Sequence, residues 1–304
     1  MTQPANSGNM SPMTNVTFIS TDAPDPTKAF ADAAWVANPR ISPSSWRVAQ
    51  GYTFSKLTFD ARASLKGWPK ATAAGCNTVL LSAVTAPLLT HKPAGTVAVL
   101  ETASPTAIPE GMDIVLTLPN PANWLVLEQA VKDNHIAFYG LTSTGWDDLA
   151  SHLTAADDAA ATVWGRRKRS GLKALMVPFN LAEQHAAREL VTYHNTEAVS
   201  PLELAARRNM LVLADRPTLW HGPWGLADIL THPEIAPNAQ LLLTTRLPTP
   251  WKTLPPNIQA WALASSMAGI TSTVITSPAQ NLGSLITLTM EQPDIVDMAA
   301  VLNG

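Results

Sequence analysis

The chain has 304 residues, of which 46% are hydrophobic and only 14% charged, and its net charge is −3. That length suits one large α/β domain or two smaller ones, and the slight acidity argues against a general nucleic-acid binder. A single cysteine, Cys76, excludes an internal disulfide framework and suits an intracellular reducing compartment rather than secretion.

Residues 1–40 read as a polar N-terminal extension, interrupted by Pro4, Pro12, Pro24 and Pro26. They carry no charged-then-apolar leader pattern, since the first basic residue is Lys28, after Asp22 and Asp25. No apolar run reaches the roughly 18 residues that a membrane span requires. Whether the compartment is cytosol or an organelle matrix is not readable from this extension.

Residues 41–304 contain eight short apolar runs: Trp46–Gln50, Thr78–Leu81, Val97–Leu100, Ile114–Leu118, Ile136–Leu141, Ala174–Val177, Leu211–Ala214 and Thr273–Ile275. They are continuous rather than alternating, as parallel strands buried on both faces are. Helix-like patterns lie between several of them, at Trp124–Asp133, Asp147–Trp164, Leu202–Arg208 and Ile258–Met267, with another at Ile286–Leu302. Eight strand units alternating with helices predict an α/β fold, a closed (β/α)8 TIM-type barrel.

Two connections depart from that plan. Residues 85–95 hold Pro87 and Pro93, and residues 101–113 hold Pro105 and Pro109. Proline blocks helix interiors, so the second and third outer helices are expected to be stunted. The uncovered strand faces are then expected to be buried by the N-terminal extension or by other protein subunits docking near 85–95 and 101–113. The low charge and ten tryptophans point the same way.

Four segments in order resemble the aldo/keto reductases. They are "DIVLTLPNPANW" (Asp113–Trp124), "IAFYGLTST" (Ile136–Thr144), "LMVPFNL" (Leu175–Leu181) and "LELAARRNMLVLADRP" (Leu202–Pro217). The resemblance implies an eight-stranded barrel that moves hydride between NADPH and a carbonyl. It also implies a tyrosine proton donor tuned by a lysine and an aspartate, with a histidine on the carbonyl. Carried over by position, the aspartate becomes Ser82, the lysine becomes Ala103 and the histidine becomes Leu118. No tyrosine follows Ser82 within Thr85–Pro93. The implied cofactor cradle survives only as Ser143, Thr144 and Asn180, with Met176 and Asp215 in place of a glutamine and a ring-stacking aromatic.

These losses lead to the expectation of a catalytically inactive pseudoenzyme without cofactor, serving as a structural or accessory subunit of a larger assembly. Ala103 and Leu118 would then line a closed, apolar barrel mouth. The alternative is an NAD(P)H-dependent carbonyl reductase whose chemistry has moved to Lys92, Glu101 or His221, or a sensor that binds NADP without turnover.

Other polar groups have simpler structural readings. His185 and His194, nine apart beside Glu183, fit no usual zinc spacing, so no metal is expected. Asp147-Asp148 and Asp157-Asp158 read as a solvated helix face. The run Arg166-Arg167-Lys168-Arg169 sits at a predicted helix C-terminus, where the dipole favours cations. Its alternative is a local contact to nucleic acid, anionic lipid or an acidic partner.

Overall fold

A computed structural model describes residues 46–275 apart from 50, 74, 143–147, 181–185, 187–190, 194–196, 223–224, 234–235, 247–251, 253 and 267–269. The eight barrel strands are β1 (Leu57–Asp60), β2 (Thr78–Ser82), β3 (Val97–Glu101), β4 (Ile114–Thr117), β5 (Phe138–Thr142), β6 (Leu172–Pro178), β7 (Leu211–Asp215) and β8 (Ser272–Ile275). All pair in parallel, and β8 pairs with β1 to close the ring. The helices are α1 (Trp68–Ala73), α2 (Trp124–Lys132), α3 (Leu149–Trp164), α4 (Pro201–Arg207), α5 (Ala236–Arg246) and α6 (Pro256–Ser266).

Successive strand residues point to opposite faces, and the core divides accordingly. Leu80, Val99, Leu116, Met176, Leu213 and Val274 pack together inside the barrel. Their neighbours Val79, Leu100, Val115, Leu175, Val212 and Ile275 pack outward with the helices. Continuous apolar runs are what two buried faces demand.

The first predicted strand was misplaced. Trp46–Ala49 pairs antiparallel with Tyr52–Ser55 in a hairpin, and the first barrel strand is Leu57–Asp60. The hairpin closes the N-terminal end of the barrel. Phe54 is fully buried in the interior cluster, and Tyr52 packs edge-on against Phe138 at 5.9 Å. Asn77, just ahead of β2, donates from Nδ2 to the Thr53 carbonyl at 2.7 Å. Leu57–Asp60 is only four residues long with a polar residue at every second place, because Thr58 and Asp60 face inward. That weakens its apolar signal.

The second and third outer helices are stunted, as the prolines require. Only a single 3-10 turn, Ala86–Leu88, links β2 to β3, and no helix links β3 to β4. A groove of about 550 Å³ lies there, between residues 105–108 and α2. The predicted helix over 286–302 and the extension 1–40 lie outside the described residues.

On the other face of α2 the outer layer is knitted by Glu128. Its carboxylate, 1% exposed, accepts from the Tyr139 hydroxyl at 2.8 Å, the Trp164 indole at 3.3 Å and the Gly171 amide. Burial, then the Glu128 charge, push the Tyr139 phenol far above its ordinary range. Asp157 is not the solvated residue expected. It accepts from the Ser170 amide and hydroxyl and from Arg208, contacts that outweigh its burial and hold its pKa low.

At the β5–β6 seam, a Cβ on Gly140 would lie 2.5 Å from the Ala174 Cβ and 2.7 Å from Leu116 Cδ2. Gly140→Ala is therefore predicted to cost about 1–3 kcal/mol by overpacking. Urea denaturation reads this directly, and an unchanged midpoint would show that the seam yields freely.

Candidate active site

The C-terminal ends of the strands form the face on which barrel enzymes place their chemistry. Interior layers of such barrels draw their side chains from alternate strands. Here the outermost layer comes from the odd strands: Asp60 ends β1, Glu101 ends β3, Thr142 ends β5 and Asp215 ends β7.

Three of those four are acids, and one cation gathers them. Arg62, two residues past Asp60, donates from Nε and Nη2 to the two Asp60 oxygens at 2.9 and 2.8 Å. Its Nη1 reaches Glu101 Oε2 at 2.8 Å, and Nη2 also reaches Asp215 Oδ1 at 3.0 Å. The rigid fork of a guanidinium suits this task better than an ammonium does. Burial works against the charged guanidinium, but the Asp60 hydrogen bond and the Asp215 and Asp60 charges outweigh it and hold its pKa above the ordinary range.

Glu101, Leu118, Thr142, Met176, Pro178, Asp215 and Arg216 line a cavity of about 270 Å³ at this mouth. Arg216 adopts φ +52°, a left-handed conformation that is costly for a side chain bearing a Cβ. Its Nε lies 3.8 Å from Asp215 Oδ2. Glu101 keeps one oxygen, Oε1, without a hydrogen-bond donor among the described residues.

The predicted positions now have places. Ser82 stands at the end of β2 as expected, but its hydroxyl donates to the Arg62 carbonyl at 2.8 Å. It shapes the loop that presents Arg62. Leu118 does line the mouth, at 57% exposure, whereas Ala103 is exposed and does not line it. The mouth is therefore neither closed nor apolar. Asn180 spends Nδ2 on the carbonyls of Arg216 and Leu219, at 3.1 and 2.8 Å, and fastens the loop after β7. Ser143 and Thr144 lie outside the described residues, as do His185, His194 and Glu183.

Of the three relocated candidates, Glu101 stands among the described residues that line the cavity. Lys92 pairs with Asp113 and donates to the Gly111 carbonyl, at the opposite end of the barrel where β4 begins. His221 belongs to the hairpin Leu219–Gly222 and Gly225–Asp228 that follows β7. Cys76 is buried, its thiol pushed up to about 11 by desolvation, and it serves no nucleophilic role. Tyr52 and Tyr139 sit in the N-terminal plug and the outer layer.

Asp60 and Arg62 escaped the sequence reading because the first strand was set at Trp46–Gln50. That put both in a connecting loop. The signal was present as an acid closing a short β run, with an arginine at the next same-side position.

No protein-family model matches the chain, and no curated protein matches it. Solved structures match its fold. One is aldo-keto reductase AKR11C1 from Bacillus halodurans in its holo form, 11% identical, with a TM-score of 0.56 over 85% of this chain and 95% of that one. A variant of Gox0644 in complex with NADPH is 13% identical, with a TM-score of 0.53 over 85% and 92%. Gox0644 in its apo form is 14% identical, with a TM-score of 0.54 over the same shares. The chain thus shares the (β/α)8 fold of these proteins, the fold that the four sequence segments implied.

Two expectations are corrected. A pseudoenzyme without cofactor does not stand against fold neighbours that include an aldo-keto reductase in its holo form and a protein in complex with NADPH. The physical reason lies at the mouth. Counting lost residues on β2, β3 and β4 overlooked the acids and cations that β1, β3 and β7 bring there.

Replacing Arg62 by Met is predicted to strand three carboxylates together and to cost roughly 3 kcal/mol near neutral pH. Thermal unfolding of the variant beside the unaltered protein checks this, and an unchanged midpoint would contradict it.

Proposed function

We propose that this chain is an NADP(H)-dependent oxidoreductase acting on a small carbonyl compound or the corresponding alcohol, with its acid–base group at Glu101. The observation that carries the reading is the charged mouth at the catalytic end of an aldo-keto-reductase barrel, with Glu101 Oε1 undonated beside a cavity of about 270 Å³. That volume is just below the range of about 300–1,000 Å³ that encloses a drug-sized ligand. It suits the reacting end of a dinucleotide together with a small substrate.

The donor set fits such a group. The Thr142 hydroxyl and the Arg216 guanidinium line the cavity and supply a neutral and a cationic contact. When bound, NADPH supplies the hydride. In alcohol oxidation the Glu101 carboxylate takes the hydroxyl proton as hydride leaves; in reduction Glu101 first takes a proton from water and then gives it to the developing alkoxide. Arg62 stabilises the carboxylate that this transfer leaves and fixes its orientation. Leu118, Met176 and Pro178 surround the reacting atoms with apolar surface, which strengthens those charged contacts.

Glu101→Gln keeps the shape and removes the proton. It is predicted to lower kcat for NADPH-dependent reduction by at least about 100-fold, while the Kd for NADPH changes less than about threefold. Steady-state assays over a panel of small aldehydes and ketones, with cofactor binding followed by tryptophan fluorescence, check both. Absence of turnover by the unaltered protein across the panel, or full activity of the variant, would contradict the assignment.

A further inference from the structure

The opposite face of the barrel has the opposite charge. Helices run back from the mouth, so their C-termini gather at the N-terminal end of the strands. Three successive helices end there in cations: Lys132 closes α2, residues 166–169 follow α3, and Arg207 and Arg208 close α4. Lys173 lies beside them on β6.

Near this face Asp133 accepts from Gln129 at 2.9 Å and Asp158 on α3 is exposed, while three other acids are engaged. Arg208 holds Asp157 at 3.0 Å, Arg207 holds Glu203, and buried Glu128 is taken by Tyr139, Trp164 and Gly171. Arg166, Arg167, Lys168 and Arg169 are all exposed, and none forms an ion pair among the described residues. Lys173 reports the resulting excess. Burial, then the charges of Arg169 and Arg208, hold its ammonium below the ordinary range. Helix dipoles account for a cation or two at each terminus, but not for four in succession without counter-charge on a protein of net charge −3.

We propose that Arg166, Arg167, Lys168 and Arg169 form a docking site for the phosphate backbone of a nucleic acid, bound without sequence preference. The surroundings favour phosphate over the other polyanions. Among the described residues the exposed large apolar side chains lie at Val84, Leu88 and Leu118, on α2, and beyond β7, and none lies within 160–175 or 201–210. A membrane contact or a protein interface needs such anchors, whereas a nucleic-acid contact is polar and positively charged. Base stacking is not offered. Lys168 Nζ sits 3.1 Å from the Trp164 ring centroid and covers that face, and the indole N–H is committed to Glu128. Arginine forks then bind phosphate oxygens rather than bases.

The test is fluorescence anisotropy of a labelled single-stranded oligonucleotide of about 20 nucleotides, titrated with the full chain from about 50 to 300 mM salt. Four phosphate contacts predict that log K falls with log salt at a slope of roughly −3. The quadruple variant Arg166→Gln, Arg167→Gln, Lys168→Gln, Arg169→Gln is expected to bind at least tenfold more weakly, with an unchanged unfolding midpoint. A control, Lys66→Gln with Lys70→Gln, is expected to bind as the unaltered protein does. Three results would overturn the proposal: no binding at low salt, equal weakening by the control, or tighter binding to polyglutamate or phosphatidylserine vesicles than to the oligonucleotide.

Discussion

Carboxylates at the inner end of a barrel strand face a low-dielectric wall, and three of them together repel unless a cation stands between them. Arg62 supplies that cation. Asp60, Glu101 and Asp215 come from β1, β3 and β7, with β2 and β8 intervening, so one guanidinium ties together half of the barrel rim. Ser82 holds the Arg62 carbonyl from the strand between them. The arrangement closes the top layer electrostatically, where the layers below close by packing Leu80, Val99, Leu116 and Leu213.

The two ends of the barrel divide the work. The N-terminal end is plugged by Phe54 and Tyr52 and ringed by the helix C-termini with their cations. The C-terminal end is open, acidic and strained at Arg216. Strain and convergent charge cost stability and persist where the surrounding structure over-determines them. Asn180 does so here, bonding the Arg216 and Leu219 carbonyls. Stability is recovered in the outer layer, where Glu128 satisfies donors from α3, β5 and the turn into β6.

The barrel was legible because seven of its strands are apolar on both faces, and the missing outer helices were legible from Pro87, Pro93, Pro105 and Pro109. The remaining strand, β1, was not. Leu57–Asp60 turns Thr58 and Asp60 inward, so a strand that builds the site lacks the signal of one that builds the core. Glu101 was legible as a candidate because it ends a clear apolar run. Its partners were not, since Arg62 and Asp215 lie 39 and 153 residues away from Glu101 or from Arg62 and meet only when the ring closes. Position-by-position loss of a family's groups on β2, β3 and β4 therefore left the charged rim of β1, β3 and β7 unread.

Hydride transfer is the central claim, and isotope tracing tests it most directly. The full chain would be incubated with NADPH deuterated at the transferable nicotinamide position and a panel of small carbonyl compounds, and the products examined by mass spectrometry. The account predicts an alcohol carrying one deuterium on the former carbonyl carbon. Deuterated NADPH recovered intact, with every carbonyl compound unreduced, would contradict it.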